Sequence, residues 1–150
     1  LVDVFETFTG GHRPAEAVTQ CKSETASVLA WLATSWHREA IGTDDQPGTN
    51  DRNTMRGASA LYRLVLERFP DMEQMQFPNI DRRDWPTEYR ISYFYAELLW
   101  RMEDWSTCGP AFDRVVVGRI VQLNDLPAIH DGVWNPDLLT EACSHSLSEC

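Results

Sequence analysis

The sequence predicts a single all-α domain of about five helices, spanning residues 1–150 and stapled by disulfides. Three observations carry that expectation. Apolar residues recur at spacings of three and four over three long segments, each with a credible cap or stop. Hydrophobic residues make up 43% of 150 residues, with six Trp and six Phe, enough for one sizeable core. Four widely spaced cysteines, Cys21, Cys108, Cys143 and Cys150, are even in number. No internal repeat or low-complexity tract interrupts the chain.

The first predicted helix runs from Pro14 to Ile41. Proline suits a first helical turn, and Gly42 supplies the stop. Val18, Cys21, Thr25, Val28, Leu29, Leu32 and Trp36 form one stripe. Trp31 lies off it, so this helix is expected to meet neighbours on two sides. Thr43 to Asn53 is polar and rich in turn formers, and reads as a loop.

A second helix follows from Thr54 to Phe69, closed by Pro70, with Met55, Ala58, Leu61, Tyr62, Val65 and Phe69 inward. Arg52, Arg56 and Arg63 fall on its opposite face with Ser59 between them. Three arginines in line can bind an anion, but helices routinely carry charge outside, so a solvated face is expected. Asp71 to Pro86 is irregular. Thr87 caps a third helix reaching Trp105. Its main seam is Ile91, Tyr95, Leu98, Met102 and Trp105, and Tyr89, Tyr93 and Trp100 add a second aromatic strip. A helix apolar on two sides is expected at the centre.

Cys108-Gly109-Pro110 is expected to break the chain. Phe112 to Leu123 is rich in β-branched residues, which favours a strand. Its helical spacing and the lack of an evident partner strand favour a fourth helix; a strand paired with Val2 to Phe8 is the alternative. Asn135-Pro136 is a cap followed by a first-turn proline, and opens a last helix with Leu138, Leu139, Ala142 and Cys143 inward.

A formal net charge of −10 disfavours nucleic acid and anionic membrane as partners, since both need a basic face. No apolar run approaches the roughly 20 residues of a spanning helix. The chain opens Leu-Val-Asp and reads as a mature form or a fragment. The cysteines show neither CxxC nor zinc spacing, so neither metal nor cofactor is expected. Two disulfides are expected instead, which places the protein in an oxidising, secreted setting. Of the three possible pairings, Cys21 with Cys108 would tie the first helix to the end of the third. Twelve arginines stand against one lysine, Lys22. That depletion suits a toxin that must avoid ubiquitination in a host cytosol, or simply reflects codon bias, since alanine is also twelve.

No GxSxG, HExxH, GxxxxGK[ST] or GxGxxG occurs. His130-Asp131 resembles a general base beside a carboxylate, but Asp131-Gly132 is ordinary turn chemistry. His145 near Cys143 offers a Cys-His couple only if Cys143 stays reduced. Glu97, Glu103 and Asp104 read as solvated. The binding candidate is Arg82, Arg83 and Trp85 in the run Asp81-Arg82-Arg83-Asp84-Trp85, with Tyr89 following. Arg, Trp and Tyr dominate interface energetics, and loops carry function. The plain alternative is a salt-bridged connection anchored by Trp85. The functional expectation is a secreted protein that binds a partner protein, such as a pathogen effector or toxin component, rather than an enzyme. The alternative is a small secreted all-α enzyme acting on a small anionic substrate. A deep pocket gathering two or more of Arg52, Arg56, Arg63, Arg82 and Arg83 would favour that enzyme, and a flat aromatic surface with no pocket would favour the binder.

Overall fold

The computed structural model describes residues 1–11, 13–43 and 45–125, the last ten of these as backbone. The described residues form five α-helices: α1 (Val2–Thr9), α2 (Ala15–Ile41), α3 (Arg52–Arg68), α4 (Glu88–Arg101) and α5 (Trp105–Asp125). A two-stranded antiparallel ribbon, β1 (Gly42–Thr43) with β2 (Gln46–Pro47), joins α2 to α3. The chain is thus mostly helical, as its periodicity predicts. The helix expected from Asn135 lies outside the described residues.

α2 packs along α3, and small residues set how closely. The buried face of α2 carries Ala26, Ala30, Ala33 and Ala40 with Leu29, and α3 answers with Met55, Ala58, Tyr62, Val65 and Phe69. Gly57 of α3 lies under the Trp36 ring, where a Cβ would come within 2.9 Å of ring carbon. The predicted stripe is therefore rotated: Val28 and Trp36 stay exposed while the alanines go inside. Trp31 is 69% exposed, while α2 does meet further neighbours besides α3, namely α1 and α4.

The turn out of α2 is fixed by backbone. Gly42 adopts φ +89°, in the left-handed region, and a Cβ there would sit 2.4 Å from the Gln46 carbonyl oxygen. The Thr49 and Asn50 amides donate to the Glu39 and Ala40 carbonyls, satisfying acceptors at the end of α2. Asp51 then caps α3, its carboxylate accepting from the Thr54 amide at 2.8 Å. Hence α3 begins at Arg52, two residues before the predicted Thr54.

α1 was not expected as a helix, and Val2 to Phe8 forms no strand. It is held by tertiary contact: Phe5 packs on Phe69 with ring centroids 5.5 Å apart, and Arg68 pairs with Glu6. Both act on the last turn of α3.

α4 is central, as its two apolar strips predict. Ile91 and Leu98 join the α2–α3 core, while Tyr89, Tyr93, Ala96 and Leu99 form a second core with Cys108, Ala111, Phe112 and Val115 of α5. The Thr87 hydroxyl accepts from the Arg90 amide at 3.2 Å, the predicted cap. α4 ends at Arg101 rather than at Trp105, with Glu103 in the turn at φ +60°.

The expected break at Cys108-Gly109-Pro110 does not occur. α5 starts at Trp105 and runs through Pro110. Asp104 organises its start: its carboxylate accepts from the Ser106 and Thr107 hydroxyls, and its carbonyl from the Cys108 amide at 2.9 Å. The proline near the helix start forfeits one backbone bond. Burial of Cys108, Phe112 and Val115 against α4 offsets that loss.

Candidate functional site

The predicted binding residues separate. Arg82 to Asp84 form a 3-10 turn, opened by Asp81, whose carboxylate accepts from the Arg83 amide at 3.0 Å and pairs with its guanidinium at 3.2 Å. That contact, chiefly the hydrogen bond from the Arg83 side chain, lowers the Asp81 pKa. Arg82 lies over the Trp85 ring, 5.6 Å from its centroid. Trp85 is the anchor of the loop: its indole N–H donates to the Ile80 carbonyl at 3.1 Å, and its ring meets Phe77 edge-on. Arg82 and Arg83 are exposed and Trp85 is half-buried. Tyr89 is only 4% exposed and belongs to the second core, so it cannot contribute a surface contact. Its amide instead donates to the Glu73 carboxylate, which fastens α4 to the preceding loop.

The loop 71–86 and α2 enclose two clefts that meet. The larger, about 800 Å³, runs between the first turns of α2 (Glu16, Gln20, Ser23) and Met75, Phe77 and Asn79. The second, about 470 Å³, lies between Trp31, Thr34 and Arg38 of α2, Asp84 and Pro86 of the loop, and Arg90 and Phe94 of α4. Ser27 and Ile80 line both. Together they make one trough along α2 from Glu16 to Arg38, roughly 33 Å at the helical rise. Lys22 bridges it near one end, donating to the Asp71 carboxylate at 2.6 Å. At the other end Arg90 stacks on Phe94 and pairs with Asp84 at 3.8 Å. Arg38 is exposed and has no ion-pair partner among the described residues. Sequence periodicity missed Trp31 as a site residue, though its place off the α2 stripe was the available signal.

The three arginines of α3 are not merely a solvated face. Arg52, Arg56 and Arg63 line a cleft of about 410 Å³ together with Ser59, Tyr95, Leu99, Met102, Asp104 and Thr107.

A third constellation is internal. His37, 4% exposed, sits between α2, α3 and α4. Its Nδ1 lies 3.1 Å from the Tyr62 hydroxyl, which is in turn 3.4 Å from the Thr34 hydroxyl. Its Nε2 lies 3.5 Å from the Glu97 carboxylate, which is therefore half-buried and not solvated as the sequence implied. Burial first, and then the positive charges of Arg101 and Arg38, lower the His37 pKa to about 4, so the imidazole is neutral at pH 7. Edge-on contacts with Tyr62 and Phe94 make it part of the aromatic core.

Cys21 is a half-buried free thiol on α2. It is not paired with Cys108, and the expectation that all four cysteines are oxidised fails at this position. Cys108 is fully buried in the second core. His130, Asp131, Cys143, His145 and Cys150 lie outside the described residues. Among the described residues no cluster of His, Cys, Asp and Glu could hold a metal, and no helix is long and apolar enough to cross a membrane.

Compared with known proteins, the chain matches no family model, no curated protein and no solved structure.

Proposed function

We propose that this is a secreted protein that binds a partner protein through the trough between α2 and the loop 71–86. The single observation that carries the reading is Trp31, 69% exposed on a long helix and standing in the wall of a cleft. Large aromatic side chains are costly to leave in water, and tryptophan beside arginine is the usual make-up of an energetic hot spot. Arg38 and Arg90 flank it, and Lys22 with the carboxylates Glu16, Glu24, Asp71 and Asp84 lines the rest of the trough. The fitting partner is a segment with an apolar side chain that covers Trp31, laid along α2. Partner capture with wild type, Trp31→Ala and the double reversal Arg82→Glu/Arg83→Glu tests this. Loss of the same partner from both variants, with folding intact, is the expected outcome. Retention by both removes the reading.

The secreted setting rests on the cysteines, and its disulfide part now narrows to one bond. Cys108 is fully buried and is not among the free thiols, which supports pairing with Cys143 or Cys150. Peptide mapping under non-reducing conditions should find Cys108 linked and Cys21 alkylated. The scarcity of lysine suits an effector or toxin component, and the same bias across neighbouring genes would remove that support.

A further inference from the structure

We propose that the cleft between α3, α4 and the start of α5 binds a phosphate monoester. Arg56, with Arg52 and Arg63, holds the phosphate, and the organic part lies against Tyr95, Leu99 and Met102. This site shares no lining residue with the trough beside Trp31, so it stands apart from the partner-binding reading.

Arg52, Arg56 and Arg63 occur at spacings of four and seven, which puts all three on one face of α3. Arg52 and Arg56 are one turn apart, about 6 Å along the axis. The cleft lining carries three arginines against one carboxylate, Asp104. Arg56 has no ion-pair partner among the described residues. Arg52 meets Glu103 at 3.2 Å and Arg63 meets Glu67 at 3.8 Å, all four side chains more than half exposed. Such pairs contribute about 0–1 kcal/mol. A doubly charged phosphate, which guanidinium groups bind in bidentate fashion, can displace them.

The remaining walls select the rest of the ligand. Leu99, Met102 and the Tyr95 ring are apolar surface for a carbon skeleton. The Tyr95 hydroxyl is partly buried, with Arg63 and Arg114 as positive neighbours and Asp104 and Glu67 as negative ones. Asp104 lines the end of the cleft at the start of α5 and repels a second anionic group placed there. One phosphate on an organic body therefore fits better than a diphosphate or a nucleic-acid backbone. A cleft of about 410 Å³ falls within the usual range for small-molecule sites.

The test is calorimetric titration at low ionic strength with phenyl phosphate, inorganic phosphate and phenol. The expected result is saturable one-to-one binding of phenyl phosphate, tighter than either fragment. Arg56→Gln should weaken it about tenfold or more, the scale of one lost charge-assisted pair. Arg56 is exposed, so the variant should fold, which circular dichroism checks. Glu103→Gln, which frees Arg52, should tighten binding. Phosphatidylcholine vesicles carrying phosphatidic acid distinguish the source of the phosphate. Sedimentation with them, lost in Arg56→Gln, assigns a lipid headgroup, and its absence beside phenyl phosphate binding assigns a soluble ligand. No saturable binding of any phosphate probe, or equal binding by wild type and Arg56→Gln, overturns the proposal.

Discussion

His37 should make the fold sensitive to mild acid. In the unfolded chain an imidazole titrates near 6.5, whereas in the folded protein burial and the charges of Arg101 and Arg38 lower it to about 4. Above pH 6.5 both states hold His37 neutral and its burial carries no protonation penalty. Between 6.5 and 4 the unfolded chain takes up a proton that the folded state refuses, so stability falls as pH falls. The full difference between 6.5 and about 4 corresponds to about 3 kcal/mol, of which about 2.5 kcal/mol is lost by pH 4.5. The groups facing the imidazole are Tyr62 from α3 and Phe94 and Glu97 from α4. Asp51, Asp71 and Asp81, whose pKa values are lowered from 3.8, lose their contributions only as pH falls below that value, outside this window. Urea unfolding followed by circular dichroism at pH 7.5 and pH 4.5 measures the loss. His37→Gln removes the titrating group, so subtracting its pH dependence from that of wild type isolates the term. Glu88, whose pKa is raised above 4.5 by burial and by Glu73, works in the opposite direction in both proteins, so equal pH dependence in the two would refute the reasoning.

Three further outcomes follow from packing. Gly42→Ala places a Cβ 2.4 Å from a carbonyl oxygen at φ +89°, and should cost about 1–3 kcal/mol in urea unfolding. Phe112→Ala empties a fully buried site in the second core and should cost about 3–5 kcal/mol; a loss below 1 kcal/mol would mean that α5 does not pack on α4 as described. Lys22→Ala breaks the bridge to Asp71, but both side chains reach solvent, so a stability change within about 1 kcal/mol is expected, shrinking further in salt.

The helices that periodicity located are those with long apolar faces and local stops: α2, α3 and α4, the last with its Thr87 cap. What the sequence could not convey depended on contacts between segments. α1 is helical where Phe5 and Glu6 find Phe69 and Arg68, residues more than 60 positions away. Cys108-Gly109-Pro110 carries a strong breaking signal, yet Asp104 caps ahead of it and α4 buries the face that follows. The alanine face of α2 was overlooked because large residues dominate a hydrophobic stripe, while a close helix contact favours small ones. For the same reason His37 went unnoticed, a polar residue on the inner face that is neutral in its surroundings. At the surface, the loop 81–85 has the geometry of a salt-bridged connection anchored by Trp85, the plain alternative that its sequence offered. Its four candidates divided because Tyr89 belongs to α4 and turns inward. Trp31 and the Arg52–Arg56–Arg63 cleft needed the fold to bring α4 and the loop alongside.

The central claim is that the trough along α2 recognises a partner protein, with Trp31 at its energetic centre. The most direct measurement is titration of the captured partner, as a purified protein at fixed salt, against wild type, Trp31→Ala and His130→Ala. A tryptophan at a hot spot is worth about 2 kcal/mol or more, so Trp31→Ala should weaken binding about thirtyfold or more. His130→Ala should leave it unchanged. A folded Trp31→Ala protein that binds as tightly as wild type, or a loss of binding in His130→Ala instead, would contradict the account.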